Sequence, residues 1–279
     1  MVYVREPSVS GTFYPENPRS LVNTIEAYLK NVRLDSLDRD VIGLISPHAG
    51  YMYSGQVAAY GYKAIAGLSY ETVIVMAPSH RSRFDGVAVL AKGGYRTPLG
   101  VVPIDEALVE DILGIKGVVK ANVDVHRGEH SLEVQIPFLQ VVLKDFTIVP
   151  LIMGSQDPQL CEALAENLYG AIKKTGKNVL VAGSTDLSHY YPYSEAVELD
   201  AVIKEHLDAY DIEGLADDLQ RGTCEACGAG PMIATMLLSR KLGATASKVL
   251  KYENSGDVTG DRNGVVGYIS CIFLGGPPP

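Results

Sequence analysis

The sequence predicts a single three-layer α/β/α domain, residues 1–279, and two observations carry that expectation. Apolar runs of strand length alternate with stretches of helical period along nearly the whole chain. Three of those runs also end alike, each delivering a histidine just past its carboxyl end. They are Val41-Ile-Gly-Leu-Ile-Ser-Pro-His48, Thr72-Val-Ile-Val-Met-Ala-Pro-Ser-His80 and Asn178-Val-Leu-Val-Ala-Gly-Ser-Thr-Asp-Leu-Ser-His189. In open α/β sheets that edge is where ligands bind. The shared position of His48, His80 and His189 therefore points to a metal or acid–base site on a sheet edge.

The elements follow in order. Residues 1–17, with Pro7, Gly11 and Pro15, read as an extended arm. Arg19 to Val32 has helical spacing, with Leu21, Ile25, Tyr28 and Leu29 on one face. A strand over 41–46 precedes a helix that Ser54 can cap, running to about Ala66. Strands are expected at 72–77 and 87–91, then a turn region around Gly93-Gly94 and Pro98-Leu-Gly100. Asp105 is a ready N-cap for a helix over 106–114. Ser131 to Leu143 is amphipathic, and Pro137 within it predicts a kink or a late start. Strand 146–153, helix 157–174, strand 178–182 and helix 194–210 follow. Gly228 to Lys241 is apolar enough for a buried helix, and 247–252 with 265–273 reads as a closing strand pair. The segment 254–264 is turn-rich, and 275–279 (Gly-Gly-Pro-Pro-Pro) reads as a flexible tail.

Composition narrows the function. With 47% hydrophobic and 20% charged residues the chain can bury a large core. A net charge of −9 disfavours nucleic acid and anionic membrane surfaces as partners. No apolar stretch approaches the roughly 20 residues of a membrane span, and the N-terminus lacks a signal-peptide pattern, so a cytoplasmic protein is expected. Four cysteines in a chain this long do not make a disulfide framework. Cys224-x-x-Cys227 has the spacing of a redox pair or half a zinc site, and no second such pair completes a zinc ribbon. Dinucleotide, phosphate-loop, nucleophile-elbow and zincin motifs are all absent from the sequence.

The candidate chemistry lies in scattered polar residues at strand ends. A lone loop histidine is ordinarily a hydrogen-bonded structural group; three in one topological position argue for more. Asp186, three residues before His189, can orient that imidazole as an acid–base pair, or merely cap the next turn. Cys227 precedes Gly228 at a helix start, where a thiol pKa falls and thiolate ligation becomes easier; a redox pair with Cys224 or an inert buried thiol is the alternative. Two imidazoles and a thiolate suit zinc, copper or iron. His126 and Glu129-His130-Ser131-x-Glu133 read either as an acidic helix start capped by Ser131 or as a cluster that brings His130 to the site. Tyr51, Tyr53, Tyr190, Tyr191 and Tyr193 either pack or line the mouth. Asp257-x-Thr-x-Asp261 lacks the glycine and glutamate of a calcium loop.

Taken together, the segments 9–15 (Val-Ser-Gly-Thr-Phe-Tyr-Pro), 46–51 (Ser-Pro-His-Ala-Gly-Tyr), 77–80 (Ala-Pro-Ser-His), 129–137 (Glu-His-Ser-Leu-Glu-Val-Gln-Ile-Pro), 184–189 (Ser-Thr-Asp-Leu-Ser-His) and 227–228 (Cys-Gly) resemble the Memo family over nearly the whole chain. The resemblance implies the mixed-sheet fold of class III extradiol dioxygenases, which open catechol rings with non-haem iron(II). It implies metal ligation by His48, His80 and Cys227, with His189 and Asp186 as acid–base pair and His130 as a second active-site histidine. Fe(II) is the metal it suggests first, with Cu or Zn as alternatives. Cys227 stands where those dioxygenases carry a carboxylate, a departure that weighs against ring cleavage, because a thiolate favours softer metals and is itself oxidisable. Microbial members often accompany a radical-SAM protein and an AMMECR-type partner. Two expectations follow: an iron or copper oxidoreductase acting on a small molecule, or a non-catalytic module that binds a peptide or partner protein in the same cleft.

Overall fold

The computed structural model describes residues 3–115 and 117–276. In chain order its elements are β1 (Val4–Arg5), α1 (Pro18–Asn31), β2 (Val41–Ser46), α2 (Tyr51–Ala64), β3 (Thr72–Pro78), β4 (Val87–Val89), β5 (Gly94–Thr97), β6 (Gly100–Pro103), α3 (Glu106–Gly114), β7 (Val119–Ala121) and α4 (Val123–His126). There follow α5 (Gln135–Val142), β8 (Thr147–Met153), α6 (Pro158–Thr175), β9 (Val179–Ser184), β10 (His189–Tyr191), α7 (Tyr193–Ala209), α8 (Ile212–Arg221), α9 (Ala229–Lys241), β11 (Ala244–Asn254), α10 (Ser255–Thr259) and β12 (Val265–Gly275).

Nine strands form one sheet in the order β10-β12-β2-β9-β3-β8-β4-β7, with β11 paired to β12. The centre is parallel: β2 with β9, β9 with β3, and β3 with β8. Antiparallel pairing of β12 with β2 and of β4 with β8 makes the sheet mixed. Strands β3 and β9 are buried from end to end, as continuous apolar runs in a parallel centre should be. Helices α1, α2 and α5 pack together on one face, and α3, α6 and α9 on the other. A Cβ at Gly43 would sit 2.3 Å from Ser239 Oγ, and one at Gly183 2.5 Å from Thr235 Oγ1. Glycine at these two positions lets α9 lie directly on β2 and β9, and every residue of α9 from Gly230 to Ser239 is buried.

Several local expectations change. Helix α2 starts at Tyr51 with Gly50 as its cap; Ser54 lies within the first turn, where its hydroxyl donates to Ala49 O. Helix α5 starts late, at Gln135, which puts Pro137 in the first turn where its missing N–H breaks nothing. Asp105 and Asp157 do cap α3 and α6. The turn region at 93–100 is a hairpin, β5–β6, that pairs with β1 of the N-terminal arm. Helix α8 and the short strands β7 and β10 had no expectation attached. The 254–264 loop holds the single-turn α10, whose capping box uses Asn254 and Asp257. Gly275, expected in the flexible tail, pairs with Ala244 and ends β12; residues 277–279 of that tail, like 1–2 of the arm, lie outside the described residues.

The arm itself is anchored. Arg5 is fully buried and pairs with Glu133. That carboxylate also accepts from Ser8 N–H, Val9 N–H and Tyr14 O–H. Arg5 further donates to the carbonyls of His126 and Glu129, so the arm fixes the loop ahead of α5.

Candidate metal centre

Strands β2, β9 and β3 lie side by side and parallel, so the loops after them emerge together. After β2, Pro47 ends the ladder and His48 turns inward. Its N–H donates to Asp186 Oδ1 at 2.7 Å, and its Nδ1 lies 2.9 Å from Ser184 Oγ. The Ser184 hydroxyl spends its own proton on Ser131 O, at 2.7 Å, and accepts from Gln135 Nε2. Toward His48 it can therefore only accept, so Nδ1 carries the proton and Nε2 keeps its lone pair. That free nitrogen is the ligand-competent one.

After β3, His80 N–H donates to Glu129 Oε2 at 2.6 Å, and its Nδ1 lies 3.2 Å from Glu129 Oε1. The same Oε1 accepts from His130 N–H and Ser131 N–H and lies 3.3 Å from His130 Nδ1. One buried carboxylate thus fixes two histidines by backbone and ring. This is the arrangement that sets imidazole tautomer and orientation around metals. Glu129 does not start a helix: it lies in the loop between α4 and α5, with its carboxylate turned toward the loop after β3. The ring centroids of His48, His80 and His130 are 4.9–5.7 Å apart. One ligand atom from each lies within 4.8 Å of the others.

Electrostatics keep this cluster receptive to a cation. Burial, then the neighbouring His80 and His130, holds His48 well below the usual imidazole range. Burial likewise lowers His130. Burial would raise Glu129, but hydrogen bonds from the His80 ring and from the Ser131 and His80 backbone outweigh it and keep the carboxylate ionised. Burial raises Asp186, against the N–H donors of His48 and Ala49.

Cys227 arrives from the loop before α9. Its Sγ lies 3.2 Å from His48 Nε2 and accepts from Asp186 N–H at 3.3 Å. It meets the cluster through His48 and is not in the three-residue set whose donors all lie within 4.8 Å of one another. Burial pushes its thiol up, so the helix start does not acidify it. Cys224 is buried and both cysteines are free thiols, so the redox-pair alternative describes no bond in this structure. His189 donates from Nδ1 to Leu187 O at 2.7 Å, and its N–H donates to Glu225 Oε1. It is not one of the three histidines whose ligand atoms converge.

Other candidates separate from the site. His126 is buried under the arm with Tyr95, O–H to Nδ1 at 2.5 Å, and burial lowers it to about 3. Tyr51 is buried and donates to Val134 O, while Tyr191 and Tyr193 bond Glu225 and Asp257. Ser131 donates to Pro78 O rather than capping a helix. Gln135 and Ser184 are supporting residues to which the sequence assigns no role of their own, and both are polar positions inside the histidine-bearing segments, which is the available signal.

The donor set suits a metal. Three imidazoles converge, the rings of two lie against one carboxylate, and a sulfur stands next to the third. No helix among the described residues is long and apolar enough to cross a membrane.

Comparison with known proteins agrees with this architecture. A family model described as Memo-like protein matches residues 5–272. A protein of Methanosarcina mazei described as a MEMO1 family protein is 37% identical over 270 residues, covering 96% of this chain and 98% of its own. One from Methanopyrus kandleri with the same description is 36% identical over 281 residues, covering 98% and 99%. The crystal structure of an uncharacterized protein from Escherichia coli K12 is similar in fold, with a TM-score of 0.53 at 14% identity over 84% of this chain and 99% of that one. The chain belongs to the Memo family.

Proposed function

We propose that this protein binds one divalent transition-metal ion through His48, His80 and His130 and works as a metal-dependent oxidoreductase on a small molecule. The observation that carries the reading is the convergence of three imidazole donors within 4.8 Å. Iron(II) is the first choice and copper the second, because imidazole donors suit both, and zinc, which the same donors also suit, brings no redox chemistry. Such an ion would supply Lewis acidity and access to a second oxidation state. Cys227 Sγ, beside His48 Nε2, is a fourth donor within reach once its proton leaves.

The remaining residues hold and move protons. Glu129 keeps the Nδ1 protons of His80 and His130 on its own side, so that each Nε2 faces inward. His189, with Nδ1 committed to Leu187 O, has Nε2 to give or accept a proton, and Asp186 is the carboxylate we assign to it as partner. The test is elemental analysis after anaerobic purification. Roughly one iron or copper per chain is expected in the wild type, and its loss in the double variant His48→Ala, His80→Ala. Full metal retention by the double variant would refute the site.

A further inference from the structure

The hydrogen bonds beneath His48 run on into the core, and their direction is fixed at every step. Gln135, the first residue of α5, is buried, and its amide meets three partners from separate parts of the fold. Nε2 donates to Pro47 O at 2.9 Å and to Ser184 Oγ at 2.8 Å, and Oε1 accepts from Tyr62 O–H at 2.6 Å. Pro47 O is a backbone carbonyl and can only accept. The amide nitrogen must therefore face it, and the amide oxygen must face Tyr62. Ser131 O is a second obligate acceptor, and it takes the Ser184 proton. Two carbonyls thus assign every proton in the series: Tyr62 O–H to Gln135, Gln135 N–H to Ser184, and His48 Nδ1–H to the lone pair that Ser184 has left. The far end is locked as well. Tyr62 is wholly buried in α2, and its ring stacks on Phe138 with 4.8 Å between centroids. Burial raises its pKa, so the phenol keeps its proton. A buried polar network with every member satisfied holds a single arrangement.

We propose that Gln135, with Tyr62 behind it, is a positioning residue for His48: the orientation of its amide decides that Nδ1 carries the imidazole proton and that Nε2 is the nitrogen left free for an ion. The inference rests on the metal reading above and adds to it two residues that choose the ligating atom. Among the described residues, neither Gln135 nor Tyr62 hydrogen-bonds a histidine, so both act through Ser184. Gln135 acts twice on His48, because Pro47 O belongs to the residue just before it and Ser184 lies under its ring. His80 and His130 are set by a separate device, since their rings lie against Glu129.

Two-bond proton–nitrogen NMR spectra of the metal-free protein, labelled with nitrogen-15 histidine, report the tautomer of each ring. The His48 signals are assigned by their absence in His48→Ala. Wild type is compared with Gln135→Met, Tyr62→Phe, Ser184→Ala and Ser184→Thr, and the iron(II) affinity of each is measured anaerobically by chelator competition. Wild-type His48 is expected as the Nδ1–H tautomer alone. Gln135→Met and Ser184→Ala should admit the Nε2–H form and weaken iron(II) binding about 10- to 100-fold. Tyr62→Phe loses one oxygen and stands one bond further back, so its loss should be smaller, under about tenfold. Ser184→Thr keeps the hydroxyl and should keep the wild-type tautomer. His80 and His130 should hold their tautomers in every variant. A merely structural amide would lower stability and leave the tautomer alone. A wild type in the Nε2–H form, or a His48 tautomer unchanged in those of Gln135→Met and Tyr62→Phe that fold, would overturn the proposal. Normal iron(II) uptake with a Gln135-independent tautomer sinks this inference and leaves the metal reading; a Gln135-dependent tautomer in a wild type that takes up no iron(II) does the reverse.

Discussion

Glu129 sets the geometry of the centre. Its two oxygens accept from the His80, His130 and Ser131 backbones and from the His80 ring, and it is almost wholly buried. Glutamine at this position keeps the shape but turns an amide NH2 toward groups that are already donors. In Glu129→Gln we expect metal affinity to fall about 10- to 100-fold and stability to fall by about 1–3 kcal/mol. Chelator competition and denaturant titration measure the two effects, and unchanged affinity would show that Glu129 is not an orienting group. At this scale His48 and His80 were legible in the sequence, because Pro47 and Pro78 mark where each strand stops. Glu129 was not, because an acidic residue next to Ser131 matches a helix start equally well. The buried Arg5–Glu133 pair was also hidden, since its partners are 128 residues apart and only the folded chain joins them.

At the scale of elements, the joint between α7 and α8 carries a pH-dependent contact. His206 Nδ1 lies 2.9 Å from Asp211 Oδ2, and its Nε2 lies 2.9 Å from Asp218 Oδ2. Partial burial would lower its pKa, but the two carboxylates outweigh burial and raise it above 6.5. A group whose folded pKa exceeds its unfolded one stabilises fully below the unfolded value and loses that contribution as pH rises through the folded value. Thermal stability of the wild type is therefore expected to decline from about pH 6.5 upward relative to His206→Gln, with the gap between the two proteins narrowing. A gap independent of pH between 6 and 9 would contradict the assignment. The elements that sequence reading located well are long and apolar, such as β3, β8, β9 and α9. Those it missed are short or strongly amphipathic at the margin: β7 and β10 have three residues each, and α8 buries only Ile212 and Leu215. Such segments owe their form to neighbours more than to their own pattern.

Across the whole molecule, strand order creates the site. Residues from loops after β2, β3 and β9 meet because those strands are adjacent and parallel, and the anchored N-terminal arm holds the His130 loop against them. The antiparallel flanks, β12 beside β2 and β4 beside β8, close the sheet around that parallel centre. The three-layer class was readable from alternation alone, whereas the mixed order could not be, since pairing between distant strands leaves no local trace. The same holds for the histidine set: strand ends indicate His48, His80 and His189, and folding adds His130 to the first two and leaves His189 outside that set. X-ray absorption at the edge of the metal bound by the anaerobically purified wild type tests this account most directly. It predicts three imidazole ligands on a single ion; an ion held by fewer than two imidazoles, or one whose spectrum is unchanged in His130→Ala, would contradict it.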